Sequence, residues 1–90
     1  MIKEKTQINN NPDADSTSKS QLILFNDDFN TFDYVVETLV DICNHEPLQA
    51  EQCAWIAHYR GKCTVKQGDK TVLKPMYNSI NKRGLIAEIQ

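Results

Sequence analysis

The sequence predicts an α+β domain, a three-stranded antiparallel sheet packed against three helices and preceded by a flexible tail. Three observations predict it. Short β-prone apolar runs occupy 21–26, 62–65 and 85–89, a helical apolar stripe begins at Phe32, and turn-forming residues separate each run from the next. A chain of 90 residues has room for one such domain with a small core. The sequence leaves the order of strands within the sheet open.

Residues 1–20 (MIKEKTQINNNPDADSTSKS) have no periodic apolar pattern and are dense in Asn, Asp, Ser and Lys. Burial cannot offset the entropy of ordering them, so a flexible N-terminal extension is expected, with the folded body over 21–90. The run 21–26 (QLILFN) reads as a strand ended by the turn formers Asn26, Asp27 and Asp28. From there Phe32, Val35, Val36, Leu39, Val40 and Cys43 recur at the spacing that lays one apolar stripe along a helix. Thr31 or Asn30 is placed to cap its first turn, and Asp33 adds negative charge where the helix dipole favours it.

Asn44-His45-Glu46-Pro47 interrupts that helix. Pro47 suits the first position of a second one, which runs through Leu48, Ile56 and Tyr59 to a C-cap at Gly61. A second strand is expected over 62–65, then a turn at Gln67-Gly68-Asp69-Lys70 and a third helix ending before Gly84. Pro75 is expected near the start of that helix, because an interior proline removes a hydrogen bond and clashes with the preceding turn. The alternation in 85–89 (LIAEI) supplies the third strand.

Charge and composition exclude several classes of function. A formal net charge of -2 with scattered basic residues does not suit nucleic acid, whose recognition needs clustered Lys and Arg. The longest apolar runs, such as Leu22 to Phe25, fall far short of the about 20 residues a membrane span needs. No basic segment followed by an apolar stretch opens the chain, so a cytoplasmic location is expected. Cys43, Cys53 and Cys63 form no CxxC pair, and their odd number fits no closed disulfide framework; free, buried thiols are expected.

Two segments taken together carry a resemblance. LILFNDDFNTFDYVVETL, followed about thirty residues later by AHYRGK, resembles the ClpS family, which couples an NDD-type loop after the first strand to an HxxGK-type helix end. The resemblance covers about 22–90 and includes the LKPM segment and the closing GLIAEIQ. It implies a non-enzymatic adaptor that binds the free N-terminal residue of N-degron substrate proteins and delivers them to a Clp ATPase. The implied partner surface is the N-terminal domain of a ClpA- or ClpC-type ATPase, with the adaptor a monomer and no cofactor, metal or catalytic residue involved. The family's ATPase-contacting charges do not map cleanly onto this chain, whose corresponding stretch reads GDKTVLKPM.

The chemistry of the matching residues agrees with that implication. A free α-amino group is a cation with three N–H donors, and a pocket that reads it needs converging acceptors. Asp28 offers a carboxylate for a charge-assisted bond, Asn26 a side-chain carbonyl, and neutral His58 a ring nitrogen. An internal peptide bond carries one N–H and no charge, so it would leave these groups poorly paired. Asp27 is expected to serve mainly the geometry of the loop.

The resemblance puts Asn30, Phe32, Val35, Ala54, Ala57 and Leu85 around an apolar pocket for the first side chain. The sequence departs here from the commonest family pattern, which has Met at the positions of Phe32 and Ala54 and Val at that of Ala57. Two alanines widen one wall while the stiffer Phe32 fills the other, and a deeper floor favouring aromatic first residues over Leu is expected.

Three other readings compete. Cys43, His45, Cys53 and His58 are of the right types for zinc, but their spacing matches no ordinary zinc pair. Asp27, Asp28 and His58 could serve acid-base or magnesium-assisted hydrolysis, yet no nucleophile motif or phosphate-cradling glycine loop accompanies them. A plain interaction domain, similar to the C-terminal domain of the ribosomal stalk protein, accounts for the architecture but leaves Asn26, Asp28 and His58 without a role.

Overall fold

Leu22 and Leu24 stand two residues apart on the first strand, so their side chains share one face, and both are essentially buried. The computed structural model describes residues 19–90. The flexible extension expected over 1–20 falls, for 1–18, outside the described residues, and Ser20 already belongs to a strand. In chain order the elements are β1 (Ser20–Phe25), α1 (Phe32–Cys43), α2 (Pro47–Arg60), β2 (Lys62–Gly68), α3 (Lys70–Lys82) and β3 (Ile86–Ile89). The sheet runs β2-β1-β3 with both pairings antiparallel, so the first strand is central.

One face of this sheet carries the core. Leu22 and Leu24 of β1, Cys63 and Val65 of β2, and Ala87 of β3 cluster with Leu39 and Cys43 of α1, Ala50 and Ala57 of α2, and Leu73 and Ile80 of α3. Each strand contributes residues at period two and each helix residues at helical spacing. The small side chains of Ala50, Ala54 and Ala57, all buried, let α2 lie close to its neighbours.

Local chemistry sets the helix ends. The Thr31 hydroxyl accepts from the Tyr34 amide at 3.1 Å, so Thr31 rather than Asn30 caps α1. Asn44 takes a left-handed conformation (φ 56°) that stops α1, and Gly61 does the same for α2 (φ 93°). Between them His45 is buried, and its Nε2 donates to the Val65 carbonyl at 2.7 Å. A carbonyl only accepts, so Nε2 carries a hydrogen. Val65 is the extra residue of a β-bulge, since Leu22 pairs with Lys66 while Ile23 pairs with Thr64. The bulge thus ties the α1–α2 turn to the sheet.

Several boundaries differ from those the sequence suggests. β1 ends at Phe25, although the Asn26 amide still donates to the Gly61 carbonyl at 2.9 Å. β2 runs on to Gly68 because Lys66, Gln67 and Gly68 find partners in Leu22, Gln21 and Ser20. β3 begins at Ile86, one residue later than expected. The larger correction concerns Pro75, which lies inside α3 and not near its start. The Asp69 carbonyl accepts from Val72 and Leu73, at 2.9 and 3.0 Å, and so begins the helix well before the proline. Pro75 forfeits one ladder bond, to the carbonyl of exposed Thr71, while fully buried Leu73 and Ile80 hold the helix to the sheet.

Candidate functional site

The loop that leaves β1 is built by Asp27. Its Oδ1 accepts from the backbone amides of Phe29 and Asn30, each at 2.8 Å, and its two oxygens accept from the Asn30 side-chain nitrogen at 3.1 and 3.0 Å. Burial acts to raise the pKa of this carboxyl, but the bonds from Asn30 and Phe29 outweigh it and hold the group below its ordinary value. Asn30 Nδ2 also donates to the Gly84 carbonyl at 3.1 Å, which pins the loop to the turn before β3. Asp27 is therefore committed to loop geometry, and its neighbour Asp28 is left exposed.

The pinned loop faces the C-terminal half of α2 across a cavity of about 340 Å³. Leu24, Phe25, Asn26, Asp27, Asp28 and Asn30 line it from the strand and loop, Phe32 and Val35 from α1, and Ala54, Trp55, Ala57 and His58 from α2. The bond from the Asn26 amide to Gly61, just past the end of α2, keeps the two sides together. Asn26, Asp28 and His58 accordingly lie around one space, with both alanines on its wall. None of the hydrogen bonds among the described residues engages the Asp28 carboxylate or the His58 ring.

Leu85 is a correction. It is 3% exposed, belongs to the main core and does not line the cavity. Asn30, which lines the cavity, reaches across to the Gly84 carbonyl just before Leu85. Leu24, Phe25 and Trp55 line the cavity without having been singled out in the sequence. Leu24 lies two residues before Asn26 on the same side of an extended chain, and Trp55 lies three residues before His58 on one helix face; both spacings were available to find them.

Trp55 belongs to an aromatic cluster at the cavity edge. Its ring centroid lies 4.7 Å from that of Phe32, tilted by 43°, and 5.2 Å from that of Tyr59, stacked within 14°. The His58 ring meets both Trp55 and Tyr59 edge-on, at 6.0 and 5.0 Å.

None of the cysteines lines the cavity. All three are free; Cys43 and Cys63 are buried and Cys53 half-buried. Burial raises the Cys43 thiol to about 11 against the opposing charge of Lys66, and burial with a hydrogen bond to Cys53 raises Cys63 to about 12. Thiols held this far up stay protonated near neutral pH, which suits packing as small apolar groups. Geometry does not favour the zinc reading. Among the described residues no three His, Cys, Asp or Glu side chains are grouped to hold a metal, and His45 is bonded to the sheet.

Comparison with known proteins adds the decisive observation. The model of the ATP-dependent Clp protease adaptor protein ClpS matches residues 15–88. The chain belongs to the ClpS family. Its family is thus that of adaptors of the Clp protease, which interact with the protease and its substrates. The match begins upstream of the motif pair at 22–39 and 57–62, and so includes part of the extension. No curated protein sequence matches the chain. Among solved structures, Agrobacterium tumefaciens ClpS2 bound to L-phenylalaninamide has a TM-score of 0.69 at 18% identity, over 81% of this chain and 95% of that one. At that identity the likeness establishes the ClpS fold: the α+β arrangement of three helices on a three-stranded antiparallel sheet. Among the described residues no helix is long and apolar enough to cross a membrane.

Proposed function

We propose that this ClpS-family chain captures proteins by their free N-terminal residue and passes them to a Clp ATPase. The α-amino group sits among Asn26, Asp28 and His58, and the first side chain enters the cavity. The observation that carries this reading is the adjacency of those lone pairs to a space of about 340 Å³ walled by Leu24, Phe32, Val35, Ala54 and Ala57. Three N–H donors of an ammonium group find acceptors there, and an apolar side chain leaves water beside them. The ligand of Agrobacterium ClpS2, L-phenylalaninamide, joins the same two features, a free amine and an aromatic side chain.

The walls favour rings. Ala54 and Ala57 leave depth on the α2 side, and Phe32, tilted on Trp55, offers a flat surface from α1. Capture needs no catalysis, metal or cofactor. The receiving partner is the N-terminal domain of a ClpA- or ClpC-type ATPase in the cytoplasm, approached by a monomeric adaptor whose N-terminal extension engages the unfoldase.

Isothermal titration with peptides that differ only in residue one tests this. Phe, Tyr and Trp are expected to bind best and Leu more weakly, with β-branched Ile and Val disfavoured if the mouth is narrow. Ala should fall at least tenfold below Phe, because burying a large side chain contributes about 1.5 to 3 kcal/mol and each 1.4 kcal/mol is tenfold. Equal affinity for Phe-start and Ala-start peptides would remove the cavity from the account, and equal affinity for Phe and Leu would remove the aromatic preference.

A further inference from the structure

We propose that the aromatic cluster of Trp55 and Tyr59 is a second subsite, which takes an aromatic side chain at residue two of the captured chain. This rests on the capture reading above and extends it from one residue to two. Trp55 lines the cavity and is also 46% exposed, while Tyr59, one turn further along α2, is 75% exposed. An apolar surface therefore continues from the cavity wall out onto the face of the helix. Two nearly parallel rings at 5.2 Å form a ledge whose side chains have few rotatable bonds, so little freedom is lost when a third ring docks.

The position of His58 sets the reach. With the amine held there, the next Cα lies about 3.8 Å from the first across a trans peptide. The rings of Tyr59 and Trp55 are 5.0 and 6.0 Å from the His58 ring. A side chain at residue two can thus meet the ledge without drawing the first residue out of the cavity.

Charge narrows the occupant. The ledge holds no charged group, and Asp27 and Asp28 line the neighbouring cavity, so an acidic second residue is repelled. The ledge itself offers no carboxylate to pair with Lys or Arg, whereas a ring finds two rings to pack on. A neutral ring is the class that remains, stacked offset or edge-on against Tyr59.

The test compares peptides that begin Phe-Phe, Phe-Ala, Phe-Asp and Phe-Lys and are otherwise identical, titrated against the full chain and its Tyr59→Ala variant. Tyr59 does not line the cavity and is mostly exposed, so the variant should fold and keep its affinity for Phe-Ala within about twofold. The wild-type chain should bind Phe-Phe roughly threefold to tenfold tighter than Phe-Ala, with Phe-Asp weakest. Tyr59→Ala should abolish that preference. Trp55 is the single tryptophan of the chain, so its emission should shift more with Phe-Phe than with Phe-Ala. Equal binding of Phe-Phe and Phe-Ala, a preference that survives Tyr59→Ala, or a preference for Phe-Lys would each overturn the subsite while leaving first-residue capture standing. Failure of every free-amine peptide to bind would overturn both.

Discussion

Replacing Asp28 by Ala is expected to weaken binding of a Phe-start peptide by roughly tenfold to a hundredfold. The carboxylate is the one formal negative charge at the rim that the loop does not already use, since the oxygens of Asp27 are engaged by Phe29 and Asn30. A hydrogen bond to a charged group contributes about 1.5 to 3 kcal/mol, and its loss leaves the substrate ammonium short of an acceptor. Asp28 is exposed and supports no hydrogen bond of the loop among the described residues, so the melting temperature should barely move. Asp28→Asn keeps the shape and removes the charge, and should fall between the two. Unchanged affinity in Asp28→Ala would mean that the amine is read elsewhere or not at all.

Filling the cavity should have an effect of similar size by a different route. Ala54 is buried on the cavity wall and lies outside the main core cluster, so Ala54→Phe adds a ring to the space proposed for the first side chain. Loss of that burial corresponds to a drop of roughly tenfold to a hundredfold for Phe-start peptides, again from about 1.5 to 3 kcal/mol. Binding of an Ala-start peptide, which leaves the cavity mostly unused, should change little. A thermal melt that stays cooperative separates a filled cavity from a disrupted fold, because overpacking itself destabilises by about 1 to 3 kcal/mol. Full retention of Phe-start binding would place the first side chain outside this space.

Much of the architecture was legible because the relevant signals are local. The α1 stripe from Phe32 to Cys43, the Pro47 start and Gly61 stop of α2, and the alternation at Ala87 and Ile89 each follow from spacing within one element. What was not legible depends on contacts between elements. Pro75 looked like a helix start because its cost is a local rule, whereas buried Leu73 and Ile80 decide that α3 continues through it. β2 outruns its apolar segment because pairing with Ser20, Gln21 and Leu22 extends it, and the Val65 bulge that receives His45 has no sequence mark at all.

The candidate site divides in the same way. Asn26, Asp28 and His58 could be singled out because two motifs far apart in the chain were read as a pair, and the fold brings them around one cavity. Leu85 enters the site only through the family resemblance, and its side chain is buried in the main core. Trp55 carries no motif of its own, and its place at the cavity with nearly half its surface open follows only from how α2 packs.

Titration of one Phe-start peptide in two forms, with its amine free and with that amine acetylated, bears most directly on how this adaptor recognises a chain. Acetylation leaves the ring untouched while removing the positive charge and two of the three donors. Strong binding of the free form and loss of at least tenfold on acetylation is the expected result, whereas equal binding of both forms would contradict recognition through Asn26, Asp28 and His58.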